Sequence, residues 1–289
     1  SRGQKMKNLI IRSITGVPFV AIIVVSFLNS IAMTLLIALI TGLTLWEFCG
    51  LVNEQKGVQI NKFISTVAGV YLFFAMRAYL SDIGLVHSEV FIPYLLSVIY
   101  LLISELYLKN ENPVANWAFT MLGQMYVALP FALLNVLAFR STPDGVVYSY
   151  LAPLCIFIFL WSNDTGAYCF GSLLGKHKLF PRISPAKSWE GSIGGGIFVI
   201  IIAGLIGYFT ELNGVNDLKM NIPQWMGLGL TVVVFGTWGD LVESLLKRTF
   251  KIKDSGSILP GHGGMLDRFD SSLLAIPASV VYLYTITLF

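Results

Sequence analysis

Long apolar stretches recur along this chain, and they constrain its fold more than any other feature. A helix needs about 20 mostly apolar residues to cross the hydrocarbon core of a bilayer. Only 12% of the residues are charged, against roughly 25% in soluble domains. The sequence therefore predicts an all-α, polytopic integral membrane protein with about nine transmembrane helices. The predicted spans lie at about 14–29, 31–51, 62–80, 89–104, 115–139, 147–162, 190–210, 222–243 and 270–288.

The distribution of Lys and Arg predicts how these spans are oriented. The first, fourth and sixth stretches are short or interrupted, so eight or ten spans remain alternatives. With nine spans and a cytoplasmic N-terminus, only Arg77, Arg140 and Lys219 among the 19 basic residues lie outside. Cytoplasmic loops carry an excess of Lys and Arg. We therefore expect the two longest loops, 163–189 and 244–269, to face the cytoplasm.

Other features of the composition exclude some kinds of function. The net charge of +3 is too small to indicate nucleic-acid binding. The three cysteines lie scattered in apolar stretches without metal-binding spacing and are interpreted as packing residues. We expect residues 1–5, ahead of Met6, to be a tag remnant. We expect no cleavable signal peptide, because no small-residue cleavage site follows the first apolar stretch.

Acidic residues cluster around the end of the eighth span. Asp240, Glu243 and Lys247 recur at helical spacing, as does Ser244, so they share one helix face. Ionisable groups at this depth are costly in a membrane and mark functional sites by default. Carboxylates are the protein ligands that Mg²⁺ uses together with substrate phosphates. We predict that Asp240 and Asp267 bind the metal. The alternative ligands are Asp164, Glu243 and Asp270.

A glycine-rich, basic segment follows the acidic cluster and is suited to phosphate. The backbone at Gly261, Gly263 and Gly264 can approach an anion closely and turn its N–H groups toward it. Positive charges that would balance phosphates come from Lys247, Arg248, Lys253 and Arg268. Each element also has a plainer interpretation, because basic clusters mark topology and an aspartate often caps a helix. Their occurrence together predicts a metal–triphosphate site.

The run from Ser244 to Asp270 resembles the signature of the phosphatidate cytidylyltransferases. It reads Ser-x2-Lys-Arg-x4-Lys-Asp-x-Gly-x2-Leu-Pro-Gly-His-Gly-Gly-Met-x-Asp-Arg-x-Asp. The resemblance implies a membrane enzyme that needs Mg²⁺, makes CDP-diacylglycerol and pyrophosphate from CTP and phosphatidate, and forms a homodimer. It suggests a bacterial inner membrane with the site facing the cytoplasm. His262 would contact the leaving pyrophosphate, and Asp254 would lie behind the metal ligands or replace one. One or two divalent ions, and an additional monovalent ion, stay open.

A second block, from Asn163 to Gly191, resembles another stretch of the same family. There we assign substrate binding to Lys187, Ser188 and Glu190; the family pattern has Thr at position 188, and Ser keeps the hydroxyl. Ser184-Pro185 also has the composition of a helix start. Glu47, near the inner end of the second span, either lies near the site or pairs with a basic residue.

These features divide the chain into a tail (1–13), N-terminal transmembrane helices (14–150) and a catalytic transmembrane region (151–289). The predicted activity is cytidylyl transfer, in which the phosphatidate phosphate attacks CTP and no protein nucleophile is required. A CTP-dependent lipid-alcohol kinase is the alternative within enzymes, and it would release CDP. A transporter for a phosphorylated solute is the alternative from another class. Transporters bind near the bilayer midplane and often contain inverted repeats, and neither feature is evident here.

Overall fold

The computed structural model describes residues 2–82 and 85–287, which are mostly helical. In chain order the first elements are α1 (Arg2–Phe27), α2 (Ser30–Asn53), α3 (Lys62–Ser81), α4 (Ile92–Leu108), α5 (Pro113–Gly123), α6 (Leu129–Ala138), β1 (Phe139–Thr142) and β2 (Gly145–Tyr148). The remaining elements are α7 (Leu151–Leu174), β3 (Lys178–Phe180), β4 (Ser184–Ser188), α8 (Trp189–Leu212), α9 (Ile222–Thr249), α10 (Met265–Phe269) and α11 (Ser272–Thr287).

These elements form two compact units. The first unit, called unit 1, comprises the described residues up to Tyr150 together with Ile252–Phe269. The second, unit 2, comprises Leu151–Lys251 and the described residues from Asp270 onward. Unit 1 therefore contains α1 to α6 and α10, and unit 2 contains α7, α8, α9 and α11. The segment 252–269 belongs to the unit formed by the first half of the chain.

The prediction of an all-α, polytopic membrane fold is confirmed. Among the described residues, eight helical segments are long and apolar enough to cross a membrane. They are Met6–Phe27, Ser30–Asn53, Lys62–Ser81, Ser88–Leu108, Pro113–Ala138, Trp189–Leu212, Ile222–Thr249 and Met265–Ile286. The predicted span at 147–162 corresponds to α7, which has 24 residues. α7 is not among the eight segments above, and its second half carries the polar residues Asn163 and Asp164.

Local sequence signals explain where several helices begin. The Asn29 side chain accepts hydrogen bonds from the N–H groups of Ile31 and Ala32 at the start of α2. Asn221 and Gln224 form a reciprocal capping box at the start of α9. A five-residue π-helical turn, Gln124–Ala128, separates α5 from α6. It lies directly ahead of Pro130, whose ring disturbs the preceding helical turn.

Two short antiparallel hairpins interrupt the helices. β1 pairs with β2 in unit 1, and β3 pairs with β4 in unit 2. The expectation that Ser184-Pro185 begins a helix is wrong, because Ser184 opens β4. The cap of α8 is Ser188, whose hydroxyl accepts a hydrogen bond from the N–H of Gly191 at 3.1 Å. The hairpin keeps residues 184–188 extended up to the first turn of α8.

Small residues let the helices of unit 2 pack closely. A Cβ atom on Gly166 of α7 would lie 3.0 Å from Gly195 Cα of α8. On α9, a Cβ atom on Gly239 would lie 2.7 Å from the carbonyl oxygen of Asp270. Side chains at these positions would force the helices apart. The close approach of α9 to the start of α11 decides which acidic residues meet.

Candidate functional site

Three carboxylates meet in unit 2 where α9 lies against the start of α11. Asp240 and Glu243 lie on one face of α9, and Asp270 directly precedes α11. One oxygen from each side chain lies within 4.8 Å of the other two. Oxygens bound to one Mg²⁺ ion are about 3–4 Å apart, since the metal–oxygen distance is about 2.1 Å. Small side-chain adjustments would therefore bring all three oxygens onto one hard cation.

Two lysines compensate part of this negative charge. Lys187 Nζ lies 2.6 Å from Asp240 Oδ2, and Lys247 Nζ lies 3.2 Å from Glu243 Oε2. Burial is the largest single effect and lowers the pKa of Lys187, but the negative charge of Asp240, its hydrogen bond to Lys187 and more distant carboxylates together outweigh burial and raise that pKa above its ordinary value. Asp164 and Asp270 contribute to the same increase. Lys187 is therefore a permanent positive charge beside the carboxylates.

A small polar cavity of about 200 Å³ lies beside Asp240. Lys187, Ser188 and Asp164 line it, as does Asn163 from α7. Asn163 is only 8% exposed, and its Oδ1 atom is buried without a hydrogen-bond partner among the described residues. A buried amide oxygen of this kind is costly unless a ligand or water satisfies it. Asn163 was not among the predicted site residues, although an Asn-Asp pair inside an apolar helix is itself a signal of function.

The glycine-rich segment forms a separate cavity within unit 1, called the turn cavity here. It has a volume of about 680 Å³, which lies in the range of small-molecule sites. Its lining combines glycines with both charged and polar groups. The residues are Lys253, Asp254, Gly256, Ser257, Leu259, Pro260, Gly261, His262, Gly263 and Arg268. The turn cavity thus contains most of the residues that were predicted to bind phosphate.

Arg268 and His262 are held in the turn cavity by α1 and by local contacts. The Arg268 guanidinium lies 5.5 Å from the ring centroid of Phe19. Its Nε atom is buried without a hydrogen-bond partner within the described part of the chain. His262 Nδ1 lies 3.4 Å from the carbonyl oxygen of Pro260. An incompletely satisfied guanidinium beside a polar cavity is suited to an anion.

Asp267 and Glu47 bind backbone groups of the glycine-rich turn in unit 1. Asp267 Oδ2 accepts hydrogen bonds from the N–H groups of Ser255 at 2.8 Å and Gly264 at 2.9 Å. Glu47 accepts from the N–H groups of Met265 and Leu266 and from the Ser255 hydroxyl. The N–H of Gly264 thus contacts a carboxylate of the protein. The assignment of Asp267 as a metal ligand stays a prediction.

The other predicted residues have contacts of their own in unit 2. Arg248 Nε donates to the carbonyl oxygen of Ile183 at 3.3 Å, which ties the end of α9 to the β3–β4 hairpin. Glu190 accepts hydrogen bonds from the backbone N–H of His177 and lies 2.5 Å from its ring Nδ1. Of the substrate-binding predictions in this block, Lys187 and Ser188 line the polar cavity.

An apolar groove between α8 and α9 adjoins the polar cavity of unit 2. Its volume is about 780 Å³, and its walls are formed by Trp189, Ile193 and Ile197 from α8 and by Val234, Trp238 and other residues from α9. Ser192 and Thr237 line both the groove and the polar cavity. This groove was not predicted, because nothing in an apolar stretch of sequence distinguishes a groove from ordinary lipid-facing surface.

Comparisons with known proteins agree with these features. A model of the cytidylyltransferase family matches residues 7–286. The chain is similar to phosphatidate cytidylyltransferases of three staphylococci. With that of Staphylococcus aureus strain COL it shares 43% identity over 171 residues, which is 58% of this chain and 60% of the relative. The identity is 41% with the protein of Staphylococcus haemolyticus, over 66% of this chain and 68% of the relative. It is also 41% with that of Staphylococcus saprophyticus, over 63% and 65%. The chain thus spans about 60% of the length of the first relatives it matches.

Proposed function

The chain belongs to the cytidylyltransferase family, and we propose that it transfers the cytidylyl group of CTP to phosphatidate. The products would be CDP-diacylglycerol and pyrophosphate. The observation that carries this proposal is the cluster of Asp240, Glu243 and Asp270 with Lys187 and Lys247 beside it. A charged cluster of this kind in a membrane protein is suited to a polyphosphate and its metal ion. The names of the relatives support phosphatidate as the acceptor.

The reaction needs positioning and charge neutralisation more than covalent help from the protein. An oxygen of the phosphatidate phosphate attacks the α-phosphorus of CTP and forms the new P–O bond. The bond from the α-phosphorus to the oxygen that bridges to the β-phosphorus breaks, and pyrophosphate leaves with that electron pair. The attacking group is already an anion near neutral pH, so no protein base is required.

The carboxylate cluster fits Mg²⁺ by its chemistry, because all three donors are hard oxygens. Asp240, Glu243 and Asp270 would hold the ion, with Asp164 as an alternative ligand. A bound Mg²⁺ would supply neutralisation of the phosphate charge that develops in the transition state. Lys187 and Lys247 would hold phosphate oxygens while remaining close to the carboxylates. The same hypothesis includes Asp267 as a further metal ligand. It also includes a second divalent ion or a monovalent ion at the site.

The turn cavity is our candidate for the phosphates of CTP. Lys253 and Arg268 would compensate their charge, and His262 would contact the leaving pyrophosphate. Gly261 and Gly263 have φ values of 75° and 76°, which glycine adopts without strain. A Cβ atom on Gly263 would also lie 2.5 Å from Asp267 Oδ2, so a side chain there would disturb the turn. Arg248 and Glu190, predicted from the resemblance, would act by holding the hairpin and the start of α8.

The apolar groove of unit 2 is our candidate for an acyl chain of phosphatidate. An amphipathic lipid needs a polar pocket for its phosphate and an apolar path directly beside it. The polar cavity and the groove meet this requirement, since Ser192 and Thr237 line both. The groove extends along α8 from Trp189 to Ile200 and along α9 from Leu230 to Leu245. We therefore assign it one chain of the lipid substrate.

The orientation of the protein, its membrane and its oligomeric state belong to the same proposal. The basic residues of loops 163–189 and 244–269 support a site that faces the cytoplasm, where CTP is available. The membrane would be the inner (cytoplasmic) membrane of a bacterium, since the relatives named above are bacterial. A homodimer, implied by the resemblance, is tested by crosslinking in native membranes.

One assay tests the proposed activity. Purified protein in detergent is incubated with phosphatidate, Mg²⁺ and CTP labelled in the cytidine, and both products are followed. We expect equal amounts of CDP-lipid and pyrophosphate, and no turnover in excess chelator. CDP release with phosphorylation of diacylglycerol would instead establish a lipid kinase. Binding of a phosphorylated solute without any turnover would favour a transporter.

A further inference from the structure

Glu47 is an acidic residue of α2 to which the proposed chemistry gives no task. Its Oε1 atom accepts hydrogen bonds from the Ser255 hydroxyl at 2.5 Å and from the Leu266 N–H at 3.0 Å. Its Oε2 atom accepts from the Met265 N–H at 2.9 Å. Met265 and Leu266 begin α10, so their N–H groups have no acceptor within that helix. One carboxylate from α2 therefore satisfies three donors of the segment 252–269.

The glycine-rich turn encloses this carboxylate tightly. A Cβ atom on Gly256 would lie 2.6 Å from Glu47 Oε2, and one on Gly264 would overlap both carboxylate oxygens. Both contacts are closer than real Cβ atoms approach a neighbour. Glycine at these two positions is needed to keep the Glu47 carboxylate in place, because a side chain would push its flexible end away from the donors. This requirement is distinct from the usual one, in which glycine lets the backbone approach a phosphate.

Asp267 closes the same turn from within the segment. Its Oδ2 atom accepts from the N–H groups of Ser255 and Gly264, and its own N–H donates to Ser255 Oγ at 3.2 Å. Ser255 is 3% exposed, and its hydroxyl links Glu47 to Asp267. Between these bonded ends lie residues 256–263, which line much of the turn cavity. Glu47, Ser255 and Asp267 contact this segment but are not part of the cavity lining.

We infer that Glu47 is a positioning residue that shapes the turn cavity for a polyphosphate by holding the two ends of the glycine-rich turn. The identity of the ligand as the triphosphate of CTP rests on the proposed function. A negative charge behind a cavity for an anion weakens anion binding by Coulomb repulsion alone. Neutralising Glu47 would then strengthen binding if charge were its only effect. If Glu47 shapes the turn, neutralisation weakens binding, so the sign of the effect separates the two roles.

The test uses Glu47→Gln in the whole chain, with Glu54→Gln, at the residue that caps the end of the same helix, as the control. Gln keeps the size of the side chain but replaces one of the two acceptor oxygens by an NH₂ group, which donates and cannot accept. The N–H of either Met265 or Leu266 therefore loses its acceptor. We expect the KM for CTP and the Kd for pyrophosphate to rise about tenfold or more. The KM for phosphatidate should change less than twofold. Hydrogen exchange of residues 255–266 should become faster, while the protein remains folded.

Ser255→Ala provides a second variant that removes one bond of the network. It should raise the KM for CTP in the same direction by a smaller factor, and it carries the test if Glu47→Gln does not fold. In the double variant, the KM for CTP should rise by less than the product of the two single-variant factors, because both changes disrupt one network. Unchanged or tighter pyrophosphate binding by a folded Glu47→Gln protein would overturn the inference. A parallel rise in the KM for CTP and the KM for phosphatidate would overturn it as well.

Failure of the proposed function gives a different result. In that case the wild-type protein itself makes no CDP-lipid. Pyrophosphate affinity and hydrogen exchange then decide the role of Glu47 without turnover. Loss of pyrophosphate binding in Glu47→Gln, together with faster exchange in the turn, would support the positioning role even then.

Discussion

At the scale of single residues, charge balance is the property that matters most in the candidate site. Four carboxylates and two ammonium groups lie together in unit 2, so two negative charges remain if all are ionised. The six residues are Asp164, Asp240, Glu243, Asp270, Lys187 and Lys247. Such an excess attracts a divalent cation, and the two lysines that pair with Asp240 and Glu243 lie beside it. The same carboxylates would repel a polyphosphate that arrived without metal.

We predict that Asp240→Asn and Asp270→Asn each lower turnover by about 10²–10³-fold at saturating Mg²⁺. Each change removes a negative charge beside the ion while keeping the size of the side chain, and a loss of ~3–4 kcal/mol of transition-state stabilisation corresponds to that factor. The measurement is the initial rate over a Mg²⁺ titration. Asp144→Asn, in the exposed turn of the β1–β2 hairpin, is the control. Near-normal rates in both site variants would exclude these residues as metal ligands.

The same titration separates two roles for Asp267. If Asp267 binds the metal, Asp267→Asn should require much more Mg²⁺ for half-maximal rate. If its task is confined to the two backbone bonds of the glycine-rich turn, the Mg²⁺ requirement should stay within twofold of wild type. In that case the KM for CTP rises instead. The two outcomes are distinguishable in one set of rates.

At the scale of elements, α8 and α9 each serve two environments. The start of α8 and the second half of α9 carry or adjoin the charged cluster, and the bodies of both helices line an apolar groove. Glycines and alanines let the two helices approach, since a Cβ atom on Gly229 would lie 2.9 Å from Ala203 Cβ. Larger side chains farther along the same faces leave the groove open. In our proposal, α8 and α9 therefore line both the polar cavity for the phosphate and the apolar groove for an acyl chain of the same lipid.

We predict that Ile197→Trp raises the KM for long-chain phosphatidate by about fivefold or more and leaves that for a dihexanoyl analogue unchanged. Ile197 lines the groove, so an indole ring there would occupy the space of a long chain. Ile201→Trp is the matched control, because Ile201 lies on the same helix, is also 55% exposed and is outside the groove lining. KM is measured for both lipids in mixed micelles. Equal effects of the two substitutions would refute the assignment of the groove.

At the scale of the whole molecule, topology determines which substrates reach the site. The nine-span arrangement puts loops 163–189 and 244–269 on the side that carries most of the Lys and Arg. In the structure, the β3–β4 hairpin and the end of α9 are joined by the bond from Arg248 to Ile183. Residues of both loops thus lie at one end of unit 2, which agrees with a common membrane face for them.

We predict that cysteines introduced singly at Lys178 and Ser257 resist an impermeant thiol reagent in sealed right-side-out vesicles. A cysteine at Asp144, between the fifth and sixth predicted spans, should react. The background should lack the three native cysteines, because Cys169 is exposed. Labelling is measured before and after the vesicles are opened with detergent. Rapid labelling at Lys178 or Ser257 in intact vesicles would contradict the predicted topology.

The sequence by itself determined the class of fold and the identity of much of the candidate site. Apolar stretches long enough to span a bilayer leave a chain little choice, because lipid offers no hydrogen bonds to an exposed backbone. The helical spacing of Asp240 and Glu243 likewise placed both on one face of α9. These patterns depend on neighbours within a few residues, so they can be interpreted without knowledge of the rest of the chain.

Only the tertiary structure decided which distant residues meet. Asp270 joins Asp240 because Gly239 lets α11 begin against α9, and Glu47 reaches Ser255 across 208 residues of chain. The extended hairpin, and with it the cap at Ser188 in place of Ser184, also depends on pairing between separate strands. Such contacts follow from how helices and strands pack, and a glycine or a carboxylate in the sequence does not reveal the partner that will lie against it.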